Sequence, residues 1–219
     1  MGRFGACGGM VMNPQAMKQT LRQSIIAARQ KLAVAEHDAF SQVIVKNIMQ
    51  LDAYRRAGTV LAYMSFGAEF ATAAWVQQAL QDGKQVFLPR VNSSTKQLEL
   101  FQVVDLQQDV APGKWDIPEP LPERCRKLDD SERIDFILLP GVAFARDGSR
   151  LGYGGGFYDK LLARIDPATG DHHPLLVAAA FSMQLVKEIP QEVTDRKVEW
   201  LLTENEVIDC GTGQNQRPD

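Results

Sequence analysis

The sequence predicts a single α/β domain, a mostly parallel sheet with helices on both faces. Three observations carry this. Short apolar runs alternate with helix-periodic stretches, the pattern of strand–helix–strand units. The strongest runs, Phe136 to Leu139 and Leu175 to Phe181, are apolar without interruption, as strands covered on both faces are. At 219 residues, with no internal repeat and no linker, the chain has length for one substantial core.

Taken in order, the Gly-rich, unpatterned residues 1–12 read as a flexible leader, 13–210 as the domain and 211–219 as a frayed tail. Asn13-Pro14 starts a helix with an N-cap residue and proline at the first helical position. Met17, Leu21, Ile25, Ala28 and Leu32 follow on one stripe, and Lys18, Arg22 and Arg29 on a neighbouring one. A second helix is expected from Glu36 to about Leu51, with Phe40, Val43, Ile44 and Ile48 inward. Thr59 to Met64 reads as a buried strand, Ala71 to Gln81 as a helix stopped by Gly83, and Val86 to Leu88 as a short strand. Leu98 to Val104 is another strand, after a polar turn at Asn92-Ser93-Ser94. The proline-rich stretch from Asp105 to Glu132 is too long for a plain connector and reads as a functional loop. Val198 to Leu202 is the last expected strand.

Composition excludes several classes. The net charge of −3 and the lack of a basic tract argue against a nucleic-acid surface. No apolar run approaches membrane-spanning length. Cys7, Cys125 and Cys210 are too far apart for a disulfide ladder or zinc-ligand spacing, which fits a reducing cytoplasm. A monomer or small homo-oligomer is expected.

The chemistry concentrates in Arg150-Leu151-Gly152-Tyr153-Gly154-Gly155-Gly156-Phe157-Tyr158-Asp159-Lys160. Four glycines in five residues separate strand-like runs (Asp135 to Pro140, Val142 to Phe144) from a helix-like run (Phe157 to Arg164). Glycine lets backbone N–H groups converge on an anion, and the following helix offers its positive end to the same anion. Arg150 and Lys160 flank the loop, and Asp159 is placed to hold a cation beside a phosphate. The loop is neither a P-loop, which needs Lys-Ser/Thr, nor the dinucleotide fingerprint, whose third glycine is here Phe157. It reads as a polyphosphate site with its metal, and ATP is the expected occupant. The plainer reading, a tight loop packed on a sheet, has about even odds on spacing alone.

The segment Leu139-Pro140-Gly141-Val142-Ala143-Phe144, continued by Asp147 to Asp159, closely resembles the signature of the 5-formyltetrahydrofolate cyclo-ligase family. Lys18-Gln19-Thr20-Leu21-Arg22, Tyr63-Met64-Ser65 with Glu69, Trp115 to Pro120, Gln184, Pro190, Asp195 and Thr203-Glu204 follow in the family's order, from about residue 14 to 209. One departure stands out: the acid that usually follows the phenylalanine is here Ala145, which leaves any role of that acid open unless Asp147 substitutes. The resemblance implies ATP-dependent closure of 5-formyltetrahydrofolate to 5,10-methenyltetrahydrofolate, with Mg²⁺ and without a protein nucleophile. It implies ATP contacts from Lys18, Gln19, Thr20, Leu21, Arg22 and the run Arg150, Leu151, Gly152, Tyr153, Gly154, Gly155, Gly156, Phe157 and Tyr158. It implies folate contacts from Arg22, Met64, Glu69, Tyr153, Gly154, Gly155, Gly156 and Phe157, catalytic roles for Arg150 and Tyr158, and Mg²⁺ held by Asp159 and Asp195.

Each residue also has a plainer reading. Lys18 and Arg22 suit a solvated helix face. Glu69 suits the N-terminal end of a helix. Asp159 suits a helix cap, and Asp195 a turn. Tyr153 and Tyr158 are packing or ligand contacts, and Trp115 is a stacking surface or a cover for the core. His172-His173 reads as a surface pair, and His37 as an ordinary helix residue. Two other classes stay open. One is a different α/β enzyme acting on a phosphorylated metabolite, separated by a lack of ATP dependence. The other is a non-catalytic folate-binding module, separated by binding without turnover.

Overall fold

The computed structural model describes residues 13–113, 116–129, 131–168, 173–192, 194–211 and 215–216. The expected leader, Trp115, His172 and most of the expected tail lie outside the described residues.

Five helices are described: α1 (Pro14–Arg29), α2 (Val34–Gln50), α3 (Asp52–Arg56), α4 (Thr72–Gln81) and α5 (Phe157–Ala168). The strands of the main sheet are β1 (Thr59–Leu61), β2 (Gln85–Asn92), β3 (Gln97–Val103), β6 (Phe136–Leu139), β9 (Leu175–Ala179), β11 (Trp200–Leu202), β12 (Val207–Asp209) and β13 (Asn215–Gln216). A pair is formed by β4 (Val110–Pro112) and β5 (Pro118–Pro120), and a three-stranded sheet by β7 (Ala143–Ala145), β8 (Arg150–Leu151) and β10 (Leu185–Val186).

The main sheet runs β13-β12-β11-β9-β6-β1-β2-β3. Its centre, from β11 to β2, is parallel, while β3, β12 and β13 add antiparallel edges. Successive residues of each central strand feed opposite cores, because side chains alternate across a strand. Phe136 and Leu138 join Ile44 and Ile48 of α2 and Trp75, Val76 and Ala79 of α4 on one face. Ile137 and Leu139 join Leu161, Leu162 and Ile165 of α5 on the other. An uninterrupted apolar run is the sequence trace of this two-sided burial. A substitution such as Phe136→Ala would leave a cavity costing about 3–5 kcal/mol.

Several expectations need adjusting. The Thr59 to Met64 strand is shorter than expected, ending at Leu61, while β2 extends beyond Leu88 to Asn92 because β3 pairs along its whole length. Val198 to Leu202 is not the last strand, since β12 turns back on β11. The Asp105 to Glu132 stretch contains the β4–β5 pair. Val43 is 38 % exposed although it was expected inward.

The largest difference concerns α1. Asn13 caps it as expected, its Oδ1 accepting the Gln15 N–H. The helix rests on the small sheet, with Ile25 against Val142, Ala143, Leu151 and Ile189 in a third core. Met17 is 40 % exposed, whereas Lys18 and Arg29 of the cationic stripe are 5 % and 4 % exposed. The cations turn inward because carboxylates and a tyrosine hydroxyl meet them there.

Candidate functional site

The Gly loop is mounted on the small sheet. The chain leaves β6 at Leu139, passes Pro140-Gly141, and makes the β7–β8 hairpin, pairing Ala143 with Leu151 and Phe144 with Arg150. The hairpin turn needs Gly148 (φ +83°), since a Cβ there would meet the Val198 carbonyl oxygen at 2.2 Å. Residues 152–156 then cross to α5. Gly154 has φ +101°, a backbone state a side chain would strain, and faces the Arg22 guanidinium. The Arg22 Nε donates to the Gly152 carbonyl at 2.8 Å. Residues 130 apart in sequence thus share one loop.

Two cations are paired with acids, Arg150 on the hairpin and Lys18 on α1. Arg150 is 7 % exposed; its Nη2 donates to Asp159 Oδ1 at 2.6 Å and its Nη1 to the Pro140 carbonyl at 3.2 Å, while its buried Nε has no partner. Asp159 lies in the first turn of α5 and spends its carboxylate on Arg150. Lys18 Nζ donates to Glu192 Oε1 at 3.0 Å and Asp195 Oδ2 at 3.2 Å. Burial alone would lower the Lys18 pKa, but hydrogen bonds to these two carboxylates outweigh it and hold the ammonium above its ordinary value. Asp195 sits in a turn, as its plainer reading says, and also accepts the Glu192 N–H.

A third cluster surrounds Glu69, which is 3 % exposed. Its carboxylate does not face the start of α4. Oε2 accepts the Phe66 N–H at 3.0 Å and Oε1 accepts the Tyr153 hydroxyl at 2.5 Å. Arg29 Nη2 donates to the same Tyr153 oxygen at 2.8 Å. Burial pushes the Glu69 carboxyl up, against the pull of Tyr153, Phe66 and Arg29. Burial and the Glu69 charge raise the phenols of Tyr63, Tyr153 and Tyr158, and Tyr158 also feels Arg150. Tyr158 thus lies electrostatically between the buried acid and the loop arginine. His37 Nε2 bonds the Glu69 backbone oxygen at 2.7 Å and its ring meets Phe181 edge-on.

The structure therefore brings together Arg22, Gly152 to Gly156, Arg150 and Asp159 at the loop, with Tyr153 tying that loop to Glu69. Gln19 and Thr20 are exposed on α1, whereas Leu21 packs on the third core. Leu151 is core, and Phe157, the first residue of α5, packs on the second core. Met64 is half-buried against the first core. Ala145 is 2 % exposed within β7, and Asp147 bonds Ser149 and Lys197 at the hairpin turn, the end opposite the Gly loop. Ala145 belongs to the same turn, its N–H donating to the Ser149 carbonyl. The sequence did not point to Arg29, Phe66, His37 or Glu192 as neighbours of these residues. For Arg29 a signal existed, since it shares the stripe of Lys18 and Arg22. A cavity of about 400 Å³ between Gln97-Leu98 and α5 is lined by none of these clustered residues.

Among the described residues no group of three or more His, Cys, Asp or Glu could hold a metal ion. Asp159 and Asp195 each answer a different cation. This donor set fits Mg²⁺ arriving with phosphate oxygens, which needs only one or two carboxylates, and not a cage built from protein alone.

Comparison with known proteins gives a consistent picture. The profile of the 5-formyltetrahydrofolate cyclo-ligase family matches residues 14–204. A relative from Schizosaccharomyces pombe, "Probable 5-formyltetrahydrofolate cyclo-ligase", is 30 % identical over 198 residues, 87 % of this chain and 97 % of that protein. "5-formyltetrahydrofolate cyclo-ligase, mitochondrial" from Arabidopsis thaliana is 27 % identical over 212 residues, 89 % of this chain and 75 % of that protein. The NMR structure of Aquifex aeolicus 5,10-methenyltetrahydrofolate synthetase superposes with a TM-score of 0.76 at 27 % identity, covering 92 % of this chain and 97 % of that one. The chain belongs to the 5-formyltetrahydrofolate cyclo-ligase family.

Proposed function

We propose that this family member converts 5-formyltetrahydrofolate and ATP into 5,10-methenyltetrahydrofolate, ADP and phosphate. The observation that carries the reading is the assembly at the Gly loop: Arg22 of α1 bonded to Gly152, beside Arg150 held by Asp159. Two guanidiniums and a row of backbone N–H groups suit a triphosphate, and Glu69 is a buried carboxylate suited to the adjacent N–H donors of a pterin ring.

The formyl oxygen is a poor leaving group. The γ-phosphoryl moves to it, the second folate nitrogen attacks the activated carbon, and phosphate departs. Such a transfer depends on positioning and charge stabilisation rather than on a protein nucleophile. Arg150 is the residue for the developing phosphoryl charge, its geometry fixed by Asp159 and the Pro140 carbonyl. Lys18 and Arg22 hold the nucleotide; Tyr158 bridges the field of Glu69 and that of Arg150. Met64 lines the ring pocket. Mg²⁺, when held by Asp159 and Asp195, supplies charge neutralisation of the phosphates. No helix among the described residues is long and apolar enough to cross a membrane, and we assign the enzyme to the cytoplasm on its scattered cysteines.

The test is the absorbance of methenyltetrahydrofolate, followed with and without ATP and Mg²⁺. Product that forms only with both supports the reading. Active substrate that yields no ATP-dependent product overturns it.

A further inference from the structure

Both oxygens of Glu69 are engaged, in a residue that is 3 % exposed. One accepts the Phe66 N–H, the other the Tyr153 hydroxyl. A ring presenting two adjacent N–H donors has to reach the carboxylate oxygen that Tyr153 now covers. We propose that Tyr153 is a latch: its hydroxyl holds the place of the substrate's ring on Glu69, so that folate binding and the conformation of the Gly loop are one equilibrium. This rests on Glu69 being the folate acid.

The surroundings are built for such an exchange. Glu69 is 3 % exposed, whereas Tyr153 is 38 % and Phe66 37 % exposed, their rings 5.3 Å apart. Two aromatic side chains thus close a buried acid from outside, and Tyr153 can leave by turning toward solvent. Arg29 directs the latch. By donating to the phenolic oxygen it takes a lone pair and leaves the hydroxyl proton to point at Glu69. Arg29 is 4 % exposed; opening the latch takes away its hydrogen bond to Tyr153 and leaves its charge facing Glu69. Tyr153 is followed at once by Gly154, whose φ of +101° marks backbone that can change state cheaply. Gly152, on its other side, is held by Arg22, a proposed phosphate ligand. Releasing Tyr153 therefore moves the same backbone that is to meet the phosphates, and each ligand reports on the other through one residue.

The experiment is titration of wild type and Tyr153→Phe with 5-formyltetrahydrofolate without nucleotide. The latch predicts tighter binding by the variant, roughly three- to tenfold, since it loses the hydroxyl that competes for Glu69 and keeps the aromatic ring. Weaker or unchanged binding overturns the latch. Hydrogen exchange of residues 151–158 in the free proteins gives a second measure: the variant's loop exchanges faster, and equal rates also overturn the latch. Glu69→Gln separates the two levels. If it binds folate as tightly as wild type, the assignment of Glu69 falls and the latch with it. If it loses affinity while Tyr153→Phe gains none, the latch alone fails.

Discussion

The main sheet and the small sheet that carries the Gly loop are held by opposite means. Between β11 and β2 the contacts are apolar on both faces, from Phe136 and Trp75 on one to Leu139 and Leu162 on the other. Around β7 and β8 a small apolar core is ringed by charge: Arg150 with Asp159, Lys18 with Asp195 and Glu192, Arg22 on Gly152, and buried Gln184 on the Gly141 and Val142 carbonyls. The apolar region has one good packing and little reason to move. The polar region is made of pairs that a charged ligand can compete for. Stability and chemistry are thereby divided between two sheets of one domain.

The most severe way to probe that division is in the main sheet. Phe136→Ala should cost about 3–5 kcal/mol in denaturant unfolding while the folded fraction keeps its folate and ATP affinities. A selective loss of either affinity would show that the sheet is tuned for binding as well. On the polar side, Arg150→Ala should lower turnover roughly 100-fold or more with the fold intact by circular dichroism. A normal rate at saturating ATP would make that arginine a structural partner of Asp159 only.

Glu69→Gln should weaken folate binding by about 1.5–3 kcal/mol and leave ATP binding nearly unchanged, by titration of each ligand. Equal losses would put Glu69 elsewhere in the site. The pH profile sharpens this. Burial raises the Glu69 pKa, so folate affinity, which needs the anion, is lost as pH falls through a value above the ordinary carboxylate range. The same raised pKa means that protonation there stabilises the fold, so stability and affinity move oppositely over that interval. In the glutamine variant this limb should disappear. The smallest effect is expected from Asp159→Asn, which should raise the Mg²⁺ concentration needed for half-maximal rate while nucleotide-free folate binding stays nearly the same. Superimposed Mg²⁺ curves would confine Asp159 to its pairing with Arg150.

Much of the fold is legible in the sequence itself. Four uninterrupted apolar residues at Phe136 can satisfy only a strand with a core on each side, and the glycines at 152, 154, 155 and 156 only a backbone that must approach something closely. The start of α1 at Asn13-Pro14 and the end of α4 before Gly83 are local signals, written in neighbouring residues and read correctly for that reason. The second sheet was not legible, because Ala143 to Ala145 looks like any short apolar run, and only its antiparallel partner at Arg150 and parallel partner at Leu185 assign it elsewhere.

The same distinction governs the site. By itself the sequence determined that a Gly-rich loop follows a buried strand and opens a helix, and which cations share a stripe of α1. Only the tertiary structure decided that Lys18 and Arg29 of this stripe are buried and the apolar Met17 exposed, since the partners of Lys18 lie 174 and 177 residues away and that of Arg29 lies 124 away. A periodicity can say which residues share a helix face. It cannot say whether carboxylates wait on the other side, and for a lysine or an arginine that decides between solvent and core.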